Sequence, residues 1–261
     1  MHQNPGDLNP MPKTVKQVSI IIKRFVRLVN FKWFRAEQKE PEIYLIKPGN
    51  NDVANPFSYD IHNTLPFLIR ADLSDYPTDA FIYNPIGSEK LLKKIADDLA
   101  ATFIFTNDNG QPVIIDKALI AACGTSAEQL ATIAELNIQK LFQERRLVKK
   151  NLDNDNVLYT ILLNSRNEAS CMFSKRIWAT ISAKHKDHIF VSAPRFNEIH
   201  YCTLSGNAVP DLISYTVRRF NNAGNQALSP NIYLYHNAEW VTFAHGPDQV
   251  LEYCHKHGLV K

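Results

Sequence analysis

The chain reads as an α+β protein: a largely antiparallel or mixed sheet with helices packed against it, preceded by an N-terminal amphipathic helix. Three observations lead there. Strand-like runs arrive in pairs around turn residues, most plainly 102–106 and 112–115 around Asn107-Asp108-Asn109-Gly110, where Asn-Gly tolerates positive φ. Helical periods fall between such pairs instead of alternating one for one with single strands, which disfavours a doubly wound parallel sheet. The chain of 261 residues, 45% hydrophobic and 21% charged, is long enough and ordinary enough in composition to bury a core.

The elements follow in order. Residues 1–12 hold Pro5, Pro10 and Pro12 and predict a disordered tail. Residues 13–40 predict a basic helical arm: Val15, Val18, Ile22, Phe25, Val26, Val29 and Trp33 share one face, and Lys16, Lys23, Arg24 and Arg27 fall largely away from it. Residues 41–261 form the main domain, with a division near 151–156 as the alternative. Short strands are expected at 43–46, 67–69 and 80–83, the last closed by Asn84-Pro85.

Ser88 predicts a helix running to Leu99, with Leu91, Leu92, Ile95 and Leu99 inward. After the Asn-Gly hairpin, a helical turn starts at Asp116 and stops at Gly124. Thr125 and Glu128 suit a capping box opening a helix to Leu147, with Leu130, Ile133, Ala134, Ile138 and Leu141 on one face. Strands are expected at 157–163 and 169–173, then a helix at 174–185 burying Ile177, Trp178 and Ile181. Residues 189–193 and 199–203 should pair around Pro194 and Asn197. Pro210 suits the first turn of a helix that ends at Phe220. A hairpin of 232–235 and 240–243 around Asn237, and a helix over 248–257, close the chain.

Charge is unevenly spread. Between Lys13 and Arg35 lie seven Lys or Arg and no acid; the whole chain carries +3, so the remainder carries −4. The arm therefore suits an acidic protein partner or, with Phe25 and Trp33 at headgroup level, an anionic membrane surface through residues 13–35. Nucleic acid is disfavoured, because the body is net acidic and shows no recognised module. The scattered cysteines Cys123, Cys171, Cys202 and Cys254 include no Cys-x-x-Cys pair, which predicts reduced thiols and a cytoplasmic protein. The apolar run Ile20-Ile21-Ile22 ends at Lys23, far short of the ~18 residues of a membrane span, leaving peripheral attachment as the membrane alternative.

Walker A, Gly-x-Gly-x-x-Gly, Gly-x-Ser-x-Gly and His-Glu-x-x-His motifs are missing, and nine glycines provide no phosphate-cradling loop. Possible metal ligands come only in pairs (His185 with His188, His200 with Cys202, Cys254 with His257), whereas zinc needs three or four, so neither metal nor cofactor is expected. Asp97-Asp98 reads as a solvated helix end. The one grouping of reactive types is Cys202 and His200, alternating on one strand face, with Arg195 across the turn. Candidate binding residues are Trp240, Tyr233 and Tyr235 in the last hairpin and Trp33, Arg24 and Arg27 in the arm. The expected function is a non-enzymatic, immunity-like protein-binding module. An enzyme using the Cys/His/Arg grouping and a peripheral membrane protein are the alternatives.

One further pattern lies in the order of signals between residues 66 and 245. Ser126, Glu128, Leu130 and Asn137 open and occupy one helix; Ala169-Ser170 steps into the next unit; Val191-Ser192-Ala193-Pro194 enters a turn; Leu228-Ser229-Pro230 precedes an aromatic hairpin with Trp240. This order resembles the bacterial family called domain of unknown function 1444. The resemblance implies an α+β fold and a cytoplasmic bacterial protein, and no activity. One departure is that the places where the family pattern carries Arg then Asp hold Phe196 and Asn197, with Arg195 directly after Pro194.

Overall fold

The computed structural model describes residues 61–76, 81–83, 89–106, 112–152, 156–163, 167–206, 208–244 and 247–259. The tail, the helical arm with Trp33, Arg24 and Arg27, and the strand at 43–46 lie outside the described residues.

Two antiparallel sheets organise the described residues. The first is five-stranded, in the order β1-β4-β3-β2, with β5 also on β4: β1 (Leu65–Arg70), β2 (Phe81–Tyr83), β3 (Leu91–Ala96), β4 (Leu99–Thr106) and β5 (Pro112–Ile114). The second is six-stranded, in the order β11-β10-β8-β9-β7-β6: β6 (Arg146–Asn151), β7 (Val157–Leu162), β8 (Ile189–Arg195), β9 (Glu198–Thr203), β10 (Ile232–His236) and β11 (Glu239–Phe243). Every strand pairing among the described residues is antiparallel. Among the described residues the α-helices are α1 (Lys117–Ala122), α2 (Ala127–Gln143), α3 (Lys175–His185), α4 (Val209–Asn221) and α5 (Pro247–Lys256).

Alternation along the six-stranded sheet feeds a core on each of its faces, and a smaller cluster of Leu73, Leu92 and Ala100 lies on the first sheet. One face of the six-stranded sheet sends Ile161, Val191, Tyr201, Tyr233 and Tyr235 into a shared core with Leu68, Leu99 and Phe103 of the first sheet, Leu130 and Ile138 of α2, and Ile177 and Trp178 of α3. The opposite face sends Leu158, Phe190, Cys202, Ile232 and Leu234 against Val209 and Leu212 of α4 and Val250 and Cys254 of α5. Among the described residues, no helix is long and apolar enough to cross a membrane.

Several elements differ from the sequence expectation. Within the helix expected from Ser88 to Leu99, residues 91–99 belong to the β3–β4 hairpin, turning at Asp97-Asp98, and Ser88 lies outside the described residues. Its short apolar run fits either period, and pairing with β4 decides. Residues Glu168–Phe173 form a 3₁₀ helix, not a strand, with Ser170 Oγ donating to Pro66 O at 2.7 Å. The capping box is shifted by one residue, to Ser126 and Gln129. Helix α2 stops at Gln143 instead of Leu147, and β6 begins at Arg146. Pro194 lies in β8 itself, not in the turn. Strands β6 and β7, on either side of 151–156, pair with each other in one sheet.

Candidate functional site

The β8–β9 hairpin gathers the reactive types named from sequence. Ser192 pairs with His200 and Phe190 with Cys202, so all four side chains face α4. His200 is 3% exposed. Its Nδ1 lies 2.8 Å from Thr160 Oγ1, and the Tyr215 ring meets it edge to face at 4.7 Å between centroids. Arg219 of α4 grips the Glu198 carboxylate with two hydrogen bonds, its Nε donating to Oε2 at 3.0 Å and its terminal nitrogen to Oε1. Arg195 reaches the Asn222 carbonyl at 2.9 Å, with its Nε 3.7 Å from Glu198. Four buried polar atoms of this hairpin lack a hydrogen-bond partner among the described residues: Ser192 Oγ, Arg195 Nε, Asn197 Oδ1 and His200 Nε2.

Burial favours the neutral forms of His200 and Cys202. Burial pushes His200 down to about 4, with Glu198 opposing and Arg219 reinforcing the shift. Burial also raises the Cys202 thiol well above its ordinary value, and the nearby Asp211 and Asp187 add to this. A nucleophilic thiol must ionise and meet its substrate; Cys202 is fully buried and does neither. No group of three or more His, Cys, Asp or Glu among the described residues converges as for a metal ion.

His200 makes stability depend on pH. Unfolded histidine titrates near ~6.5, above the folded value of about 4, so the unfolded state takes up the proton first. The His200 contribution is full above about pH 6.5 and is lost as pH falls towards 4, on the order of 3 kcal/mol in all. Urea unfolding of wild type and His200→Gln should give curves that converge through this window. Parallel curves would remove His200 from the acid limb.

The aromatic residues of the last hairpin are spent inside. Tyr233 and Tyr235 are buried, so they offer no contact surface. Tyr233 donates to Asp98 Oδ1 at 2.9 Å, and Tyr235 to Lys175 O at 3.0 Å. Trp240 is half-buried, its ring 5.4 Å from Trp178 and its indole N–H donating to Met172 O at 3.2 Å. A β-rich core takes up aromatics for the same reason a binding surface does, namely area.

The surface left open is elsewhere. The two edges of the six-stranded sheet are β11 and β6. Beside β11 runs the first sheet, with the Asp97 N–H reaching Thr242 Oγ1 at 3.4 Å. Strand β6 has no second neighbour among the described residues, and five of its six residues are exposed. Arg146, Val148 and Lys150 look to one face, and Leu147, Lys149 and Asn151 to the other. Among the described residues, no carboxylate pairs with Arg146, Lys149 or Lys150. Helical periodicity alone carries α2 on to Leu147 and hides this strand, which begins at Arg146. The available signal was Arg145-Arg146-Leu147-Val148-Lys149-Lys150, a cationic run around β-formers.

Comparison with family models, curated proteins and solved structures finds no match to this chain.

Proposed function

We propose that the protein is a non-catalytic recognition module, immunity-like in type, that binds another protein through the β6 edge of its six-stranded sheet. The observation that carries this reading is the cationic strand β6, exposed at five of its six residues and without a second neighbour among the described residues. An uncovered edge is a template for pairing, and folds usually shorten, cover or twist such an edge away. Four free thiols fit a reducing compartment, so the cytoplasm is part of the proposal. The resemblance to domain of unknown function 1444 contributes no activity, and a membrane role for residues 13–35 rests on the sequence alone.

An enzyme built on Cys202, His200 and Arg195 is the weaker reading. Burial keeps the thiol protonated, and the His200 Nδ1 is occupied by Thr160.

The test compares affinity capture from the native cells by wild type and by the double variant Arg146→Glu/Lys150→Glu. Both changes are on exposed side chains, so folding should survive, as circular dichroism will verify. A protein held in stoichiometric amount by wild type and lost by the variant is the expected result. Equal retention by both, or no retained protein, overturns the reading.

A further inference from the structure

Resting on that reading, we propose that the occupant of β6 is an acidic segment in extended conformation, added as a seventh strand through backbone hydrogen bonds.

The phase of the β6–β7 ladder shows which backbone groups are available. The Leu152 N–H donates to Asn156 O at 2.7 Å, which makes 152 and 156 a hydrogen-bonded pair. Hydrogen-bonded and non-hydrogen-bonded pairs alternate along an antiparallel ladder. Counting back through the register, Arg146, Val148 and Lys150 bond to β7, while Leu147, Lys149 and Asn151 turn their N–H and C=O groups outward. The same phase holds across the sheet: the Leu204 N–H bonds to His188 O at 3.0 Å, making Ser192 and His200 a bonded pair. The outward groups of alternate residues are what an added strand uses.

Charge selects the occupant. Arg146 and Lys150 flank Val148 on one face, and Lys149 stands beside Leu147 on the other. Like charges directly opposite destabilise a strand pair, and opposite charges stabilise it. A second copy of β6 would set these cations against one another, so the charges that prevent self-pairing favour an acidic strand. The small apolar sites at Val148 and Leu147 then take β-branched side chains between the acids.

The test uses a fluorescently labelled glutamate peptide carrying Glu-Glu-Val-Val-Glu, which in antiparallel addition sets glutamate opposite Lys150, Lys149 and Arg146 and valine opposite Val148 and Leu147, with the peptide carrying lysine in place of each glutamate as the opposite-charge control. Two variants separate backbone from charge. Lys149→Gln removes a cation only. Lys149→Pro also removes an outward N–H, while the inward ladder to β7 stays intact; edge strands tolerate such a proline. Hydrogen exchange at Leu158 and Thr160 verifies that β6 and β7 remain paired. The expected result is saturable binding of the glutamate peptide that weakens several-fold in Lys149→Gln and at least tenfold in Lys149→Pro. The lysine peptide should not bind.

Equal binding by the proline and glutamine variants overturns strand addition. So does equal binding of inorganic polyphosphate or of anionic phosphatidylglycerol vesicles, because these need charge and no backbone register. If cellular capture depends on Arg146 and Lys150 while the proline variant binds as the glutamine variant does, the recognition module stands and the strand-addition inference falls.

Discussion

Trp178→Ala is expected to destabilise the fold by about 4 kcal/mol, within the range for emptying a large aromatic site. Trp178 is fully buried where α3 meets the six-stranded sheet. Its ring meets Trp240 edge to face at 5.4 Å and Tyr201 at 6.0 Å between centroids. Its indole N–H donates to Cys171 O at 2.8 Å, tying α3 to the 3₁₀ helix before it. Alanine leaves a cavity walled by sheet and helices that cannot collapse into it, and removes one of the two hydrogen bonds that the Cys171 carbonyl accepts, the other coming from the Ser174 N–H at 3.3 Å. Trp178→Phe refills part of the space and should recover roughly half of the loss, the remainder being the lost hydrogen bond and the residual void. Urea unfolding followed by far-ultraviolet circular dichroism measures both. A loss below about 1 kcal/mol for the alanine variant would mean that the core beneath β8–β10 is not packed as described.

Asp98→Ala is expected to cost roughly 3 kcal/mol, since hydrogen bonds to a charged acceptor are worth ~1.5–3 kcal/mol apiece and only part is recovered by water. Asp98 sits in the turn between β3 and β4. Its carboxylate accepts from Ser229 Oγ at 2.7 Å, Asn231 Nδ2 at 2.8 Å and Tyr233 Oη at 2.9 Å. One side chain thus fastens the first sheet to the second at β10. Tyr233 is fully buried, and its phenol is held well above its ordinary titration range, by burial first and by the Asp98 charge next. It therefore stays a neutral donor. The Asp98→Asn change keeps one acceptor oxygen and should lose less than alanine. A double-mutant cycle with Tyr233→Phe should show coupling above about 1 kcal/mol. Additive losses would show that the carboxylate does not hold the phenol.

The β6 strand and Asp98 both show where sequence reading stopped. The cations at Arg146, Lys149 and Lys150 are visible in the chain, yet helix α2 reads on through them by period alone. Only the sheet order makes β6 an edge, and only that edge turns a charge run into a surface. Asp98 reads as a solvated helix end because Leu91, Leu92, Ile95 and Leu99 satisfy a helical spacing. Paired with β4, the same residues form a hairpin, and the carboxylate meets three donors from 131 to 135 residues away.

By itself the sequence determined what depends on neighbours a few residues away. The α+β class, the β4–β5, β8–β9 and β10–β11 hairpins, the helices α1, α3, α4 and α5, and the shared face of His200 and Cys202 all follow from turn chemistry, capping and periodicity. The tertiary structure alone decided which aromatic and reactive side chains are covered. Tyr233, Tyr235, Cys202 and His200 carry the residue types of a site, and burial makes them core, because α3, α4 and the first sheet close over the two faces of the second. Exposure is a property of what packs against a residue, and strand order and layer stacking set it through contacts distant in the chain.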